Sequence, residues 1–309
     1  LKMLITRIVL ALRHFQQWLV AQLVFGFLNT LKILPADPAI NFADWLVRKI
    51  GPRLKRHRLM LVNLRNAFPE KSDGELEAIA LASWGHMGRL AAEYVFLDRI
   101  FDFDPHAVTP GRIEVEGIPI FLDLRDNPRP FIVFTAHTGN FELLPVAGNA
   151  FGLAVTVMFR PPNNPYIAEK VFSFRASRMG KLVPSHAGSS FALARQLEAG
   201  GGVGVLVDQK FQKGLETTFF GRPVQTNPLL AKLVRQFDCE VYPARCIRLP
   251  NNRYRLEIEP KIDIPRNEKG AVDVHATGQL LNDKVESWVR EHPEQWLWYH
   301  DRWNIKRSI

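Results

Sequence analysis

Four residues in this chain have types and positions suited to moving a proton and holding an anion. His137 closes the apolar run FIVFTA, Arg160 follows VTVMF, and Asp208 follows VGVLV. Glu142 stands five residues after His137, in the stretch FIVFTAHTGNFELL (131–144). Short Val/Ile/Leu-rich runs of this kind read as strands covered on both faces. In an open parallel sheet, chemistry collects at the carboxyl ends of the strands. Right-handed crossovers would carry His137, Arg160 and Asp208 to one edge.

The pair His137 and Glu142 reads as a base and its orienter. A histidine just before a helix can fold back onto a first-turn carboxylate. That carboxylate would accept the Nδ1 proton and leave Nε2 free as a base. Gly139 between them permits a tight turn and a close approach to substrate. The competing reading makes Glu142 a favourable first-turn charge and His137 a satisfied core histidine. Metal binding fits less well, because a histidine pair at i and i+4 and a third ligand are missing. A protein nucleophile also fits poorly. There is no Gly-x-Ser-x-Gly elbow, and neither Cys239 nor Cys246 ends a strand beside a histidine. A base without a protein nucleophile points to a substrate hydroxyl attacking an activated acyl group.

Around these residues the chain reads as α/β with a largely parallel sheet. Strands are expected at Pro130–Thr135, Ala154–Phe159, Lys181–Pro184, Gly204–Val207, Glu240–Ile247 and Tyr254–Ile258. Helices are expected at Phe141–Ala150, Pro165–Met179, Ser189–Ala199 and Pro228–Phe237. Residues 40 to 100 read as helical, with Ser72 and Glu75 as a capping box. No Gly-x-Gly-x-x-Gly follows a strand and no P-loop occurs, so no cofactor is implied. The two cysteines read as reduced core residues.

The 309 residues carry a net charge of +9, with 47% hydrophobic and 23% charged side chains. Residues 1–66 hold eleven Lys or Arg against two Asp, and the remainder holds 29 of each sign. Such a block faces nucleic acid, anionic lipid or an acidic protein, or is simply a solvated helix face. No helix-turn-helix, zinc finger or aromatic-basic sheet motif supports nucleic acid. Ahead of the block, residues 4–34 are apolar and free of acid. They form either a marginal membrane span or an interfacial amphipathic helix, with a buried helical hairpin as the alternative. The expected division is a membrane-directed segment at 1–36 and an α/β domain at 37–309 whose first part is helical.

The ordered blocks NLRNAFPE (63–70), AHTGNFE (136–142), MFRPPNNP (158–165), RASRMG (175–180), VDQKFQKGLETTFFGRPVQT (207–226) and PEQWLWYHDRW (293–303) resemble the late acyltransferases of lipid A biosynthesis. These are the lauroyl and myristoyl transferases of Gram-negative bacteria, within the glycerolphosphate acyltransferase superfamily. The resemblance covers nearly the whole chain. It implies transfer of a fatty acyl chain from acyl carrier protein to a hydroxyl of a hydroxyacyl chain on a lipid A precursor, without a covalent acyl-enzyme. It also implies residence at the cytoplasmic face of the inner membrane. By matching position His137 is the general base and Glu142 its orienter. Arg160 and Arg178 then contact phosphate or oxyanion, and Asp208 partners an arginine or the substrate. The segment FFGRP (219–223) matches the family's Phe-x-Gly block but lacks Pro-Glu-Gly, so phosphate binding is not carried over to it. An acceptor such as a phosphatidylinositol mannoside is the alternative that this resemblance leaves open.

Asn163 and Asn164 read as headgroup contacts or, more simply, as turn chemistry before a helix. The run WLWYH (296–300) lines an acyl groove, sits at a membrane interface or belongs to the core. His86, His186 and His292 have no company that suggests catalysis.

Overall fold

The computed structural model describes residues 2–109, 111–185 and 188–303. Nine strands appear among them: β1 (Ile113–Glu116), β2 (Phe131–Thr135), β3 (Val155–Phe159), β4 (Lys181–Pro184), β5 (Gly202–Leu206), β6 (Leu215–Phe219), β7 (Arg222–Thr226), β8 (Glu240–Leu249) and β9 (Arg253–Ile258). Seven form one sheet in the order β1-β9-β8-β2-β5-β3-β4, and β6-β7 is a separate hairpin. Neighbours pair in parallel except β8 and β9, which form an antiparallel hairpin. The fold is therefore α/β with a mainly parallel sheet and helices on both faces.

Side-chain alternation along the central strands divides the interior. Ile132 and Phe134 of β2, with Val203 of β5, enter the main core, closed by Leu193, Leu233 and Trp288 from the covering helices. Val133 and Thr135 of β2, with Gly204 and Leu206 of β5, point the other way and line a cavity. That second face is covered by the helices Ile118–Asp126 and Leu143–Ala150.

The expected strands and helices are present with small shifts in their ends. Ser72 caps the helix Asp73–Glu93, and Glu75 returns the bond to the Ser72 backbone at 2.8 Å. The helix from Pro165 stops at Ala176, short of the expected Met179. The strand β1, the hairpin β6-β7 and the helix Val274–Glu291 come in addition.

The N-terminal helix Lys2–Leu31 lies against the body by one stripe only. Ala21 and Leu31 are buried, and Gln17, Val24, Phe25 and Leu28 are half-buried, at spacings that keep them on one helix face. Ile8, Leu12, Phe15, Trp18, Leu23 and Phe27 are exposed. Asn164 Nδ2 donates to the Gln17 carbonyl at 2.7 Å, which ties this helix to the turn after β3.

Candidate active site

Parallel register assembles the centre of the site. Thr135 of β2 stands opposite Leu206 of β5, and the Val207 N–H donates to the Thr135 carbonyl at 3.1 Å. Two residues beyond each strand end, His137 and Asp208 are side by side. Asp208 Oδ1 lies 2.7 Å from His137 Nδ1, and Oδ2 accepts the His137 backbone N–H at 2.9 Å. The Trp296 indole N–H donates to the same Oδ2 at 2.8 Å. Burial alone would raise the Asp208 carboxyl. The charge and hydrogen bonds of His137, with the Trp296 donor, overcome it and hold that carboxyl well below the usual carboxylate range. An ionised Asp208 accepts the Nδ1 proton, so the neutral form of the imidazole carries its lone pair on Nε2. The Gln209 side-chain nitrogen sits 3.0 Å from that Nε2 and donates to it.

The loop carrying His137 is clamped from below. Gly139 has φ +56°, and a Cβ there would collide with the Cys246 carbonyl. Its N–H donates to the Gln295 carbonyl at 3.1 Å. Glu93, fully buried, accepts from Asn140 Nδ2 at 2.9 Å and from the Tyr254 hydroxyl at 2.8 Å, and it pairs with Arg248. This polar network leaves the loop little freedom.

Glu142 does not reach His137 Nδ1. It forms a buried ion pair with Arg175, whose Nε donates to the Tyr94 hydroxyl at 2.7 Å. Burial pushes the Glu142 carboxyl up, against the pull of Arg175 and His137. The carboxylate at His137 Nδ1 is therefore Asp208, where Glu142 was expected. The reason is geometric: Asp208 is supplied by the adjacent strand, whereas Glu142 has turned with the helix towards Arg175.

Around His137 opens a cavity of about 620 Å³. Its walls are largely apolar, with Phe101, Phe103, Phe121, Leu144, Phe151 and Met158 among them, while His137, Gln209, Glu142, Arg160 and Arg175 supply polar groups. Such a cavity admits a long apolar group with its reactive end at the histidine. His300 packs 6.0 Å from His137, centroid to centroid; burial and the neighbouring His137 push its pKa down to about 4, so it stays neutral.

Arg160 is exposed and lines the cavity. Arg178 does not line it: beyond the end of its helix it pairs with Asp98 and stacks on Phe174 at 4.2 Å. Asn163 is exposed, and Asn164 caps the next helix by accepting from the N–H groups of Tyr166 and Ile167. Phe219 and Phe220 of FFGRP are buried against Trp296, Trp298 and Trp303, so that segment anchors the C-terminal block. WLWYH is likewise core, with Trp296 and Trp298 almost fully buried. Both cysteines are free and buried, and burial pushes their thiols up to about 11 (Cys239) and about 12 (Cys246). His186 lies outside the described residues. Among the described residues no group of three His, Cys, Asp or Glu could hold a metal. The sequence reading passes over Gln209 and marks Trp296 only as part of WLWYH, with no link to Asp208. Gln209 adjoins a strand-end aspartate, a usable signal; Trp296 is 88 residues from Asp208, and nothing local marks the contact.

The chain matches the family described as bacterial lipid A biosynthesis acyltransferase over residues 7–305. It is 22% identical over 264 residues to a lipid A biosynthesis myristoyltransferase of Escherichia coli (strain K12), covering 85% of this chain and 79% of that protein. It is 24% identical over 285 residues to a lipid A biosynthesis acyltransferase 2 of Shigella flexneri, covering 89% and 86%. A lipid A biosynthesis acyltransferase of Haemophilus influenzae is 20% identical over 253 residues, covering 81% and 76%.

Proposed function

Since the chain belongs to the bacterial lipid A biosynthesis acyltransferase family, we propose that it moves a fatty acyl chain from an acyl carrier protein thioester to a hydroxyl on a lipid A precursor. The observation that carries this reading is His137: its Nδ1 is held by Asp208 while its Nε2 faces a largely apolar cavity of about 620 Å³. The acyl tail lies in the cavity with its thioester carbonyl at the histidine. The acceptor hydroxyl takes the place of Gln209 at Nε2. Its oxygen attacks the carbonyl carbon as His137 removes its proton. The Gln209 amide, displaced by about one hydrogen-bond length, then donates to the oxyanion, with Arg160 adding positive charge nearby. Collapse breaks the carbon–sulfur bond, and the leaving thiolate takes the proton back from the imidazolium. An ester and a free carrier thiol result, with no acyl-enzyme. Asp208 stays ionised throughout and stabilises the imidazolium between the two proton transfers.

The apolar N-terminal helix and the basic residues after it support a place at the inner membrane with the body on the cytoplasmic side. The same basic excess suits an acidic carrier protein and a phosphorylated acceptor.

The test is a mass spectrum. Detergent-purified wild type and His137→Ala are incubated with a tetra-acylated lipid A precursor and a panel of acyl carrier protein thioesters. A lipid heavier by one acyl chain, made by the wild type alone, is the expected result and gives the chain length. Thioester loss without a heavier lipid would mean hydrolysis, and equal product from His137→Ala would remove the proposed base.

A further inference from the structure

The N-terminal helix raises a question of depth. Arg7 and Arg13 lie in the part before Gln17, whereas residues 14–31 contain no Asp, Glu, Lys or Arg. It is this uncharged part that carries the docking stripe from Gln17 to Leu31. The part before Gln17 is about 22 Å long at 1.5 Å per residue. That is short of the roughly 30 Å hydrocarbon layer. If the outward residues Trp18, Leu23 and Phe27 meet lipid, the flank of the body behind them lies at a similar level.

The next element has the character such a flank needs. Helix Ala36–Ile50 packs on the body through Ala39, Ile40 and Asp44. Its opposite face carries Phe42 (46% exposed) and Trp45 (55% exposed), with ring centroids 5.8 Å apart. Ile33 and Leu34 before it, and Ile50 and Leu54 after it, are also exposed. Lys32, Lys49, Arg53 and Lys55 are exposed among them. The acids of this stretch are taken up: Asp37 pairs with Arg112 at 2.6 Å, and Asp44 with Arg48 at 2.7 Å and Arg89 at 2.9 Å. An exposed aromatic face with basic neighbours and no unpaired carboxylate matches the interface of an anionic bilayer.

We propose that helix Ala36–Ile50 is a second membrane contact, with Phe42 and Trp45 set into the headgroup layer of an anionic bilayer, so that the body is seated in the interface and does not hang from a tether. An anionic lipid surface fits better than an acidic protein because the aromatic face continues directly from the apolar helix Lys2–Leu31. Seating has a consequence for access. The turn after β3, which carries Arg160 at the cavity, is bonded through Asn164 to that same helix. An acceptor lipid could then reach the site without leaving the membrane surface.

The test uses the full chain with a nitroxide on Trp45→Cys and, as a second position, on Phe42→Cys. Both native thiols are buried and react slowly. Each protein is reconstituted into phosphatidylethanolamine–phosphatidylglycerol vesicles. Collision of the label with oxygen is compared with collision with a water-soluble nickel chelate. The expected result is an oxygen-to-nickel ratio several-fold above that of a free nitroxide in the same suspension, falling when phosphatidylcholine replaces phosphatidylglycerol. A ratio equal to that of the free nitroxide at both positions overturns the proposal. A high ratio indifferent to lipid charge overturns its anionic part. The His137→Ala background must give the same ratios, so failure of the acyl-transfer reading leaves this test intact.

Discussion

His137 and Asp208 are 71 residues apart in sequence and 2.7 Å apart at Nδ1 and Oδ1. Glu142, five residues from His137, spends its charge on Arg175. This exchange of partners gives the two carboxylates different work and makes them separable by mutation.

Asp208→Asn leaves the shape but withdraws the negative charge that sets the tautomer and steadies the imidazolium. Its transfer rate is expected to fall close to that of His137→Ala, roughly 10²–10⁴-fold below wild type. Single-turnover kinetics with a saturating thioester is the check. An Asp208→Asn enzyme with near-normal turnover would return the orienting role to another group.

Glu142→Ala leaves the Arg175 guanidinium in a mostly buried place without its carboxylate, and breaking such a pair costs about 3–5 kcal/mol. A lowered melting temperature is expected alongside any activity loss, and a larger drop than for His137→Ala, which takes one partner from buried Asp208 Oδ1 at about 1–3 kcal/mol. Thermal melts of both variants in the same detergent separate the two effects.

Trp296→Phe removes the indole donor and leaves Asp208 Oδ2 with the backbone N–H alone. A buried acceptor deprived of a partner costs about 1–3 kcal/mol. Turnover should also fall, less than in Asp208→Asn, because the carboxylate loses an anchor while keeping its charge. A Trp296→Phe enzyme as stable and as fast as wild type would show that this bond positions nothing.

The two arginines Arg160 and Arg178 should behave differently. Arg160→Ala, exposed at the cavity, is expected to lose activity with an unchanged melt. Arg178→Ala breaks a surface pair with Asp98, worth about 0–1 kcal/mol, and should transfer nearly normally. Michaelis constants for both substrates would show which one Arg160 serves.

Acid stability follows from two neutral histidines. Burial is the first cause in both: it pushes the His86 imidazole down to about 3 and the His300 imidazole to about 4, from an ordinary value of 6.5. Between those values and 6.5 the unfolded chain binds more protons than the folded one. Stability is therefore complete above about pH 6.5 and declines as pH falls towards 4, by up to about 1.4 kcal/mol per pH unit for each histidine. Urea midpoints measured from pH 7 to pH 5 should show the decline, and His86→Leu should flatten it.

Much of the fold is legible in the sequence because β2, β3 and β5 are compact, mostly apolar runs of the kind a covered parallel sheet requires. The hairpin Leu215–Phe219/Arg222–Thr226 escapes that reading because it is polar on alternate positions and anchors aromatic rings with only some of its residues. The helix Val274–Glu291 is hidden by its polar start, although Asp273 accepts from the N–H groups of His275 and Ala276 as a cap should. The strand-end position of His137, Arg160 and Asp208 is readable, and these ends do meet on the adjacent strands β2, β5 and β3. Their order is not readable: β5 inserts between β2 and β3, a choice made by packing of helices on both faces. A local rule pairs His137 with its sequence neighbour Glu142, and the parallel ladder overrides it.

The two-residue overhang of His137 and Asp208 beyond matched strand ends works as a vernier. Turns between residues 151 and 201 can lengthen or shorten, and the imidazole and carboxylate still meet, since the register of Thr135 with Leu206 aligns the strand ends and the Gly139 clamp holds the His137 loop. One residue added between Thr135 and His137, or between Leu206 and Asp208, would turn one partner to the opposite side of the sheet. Loop-length engineering of the turns between residues 151 and 201 should therefore be permissive, and single insertions in the two short offsets beyond the strand ends should be lethal to turnover.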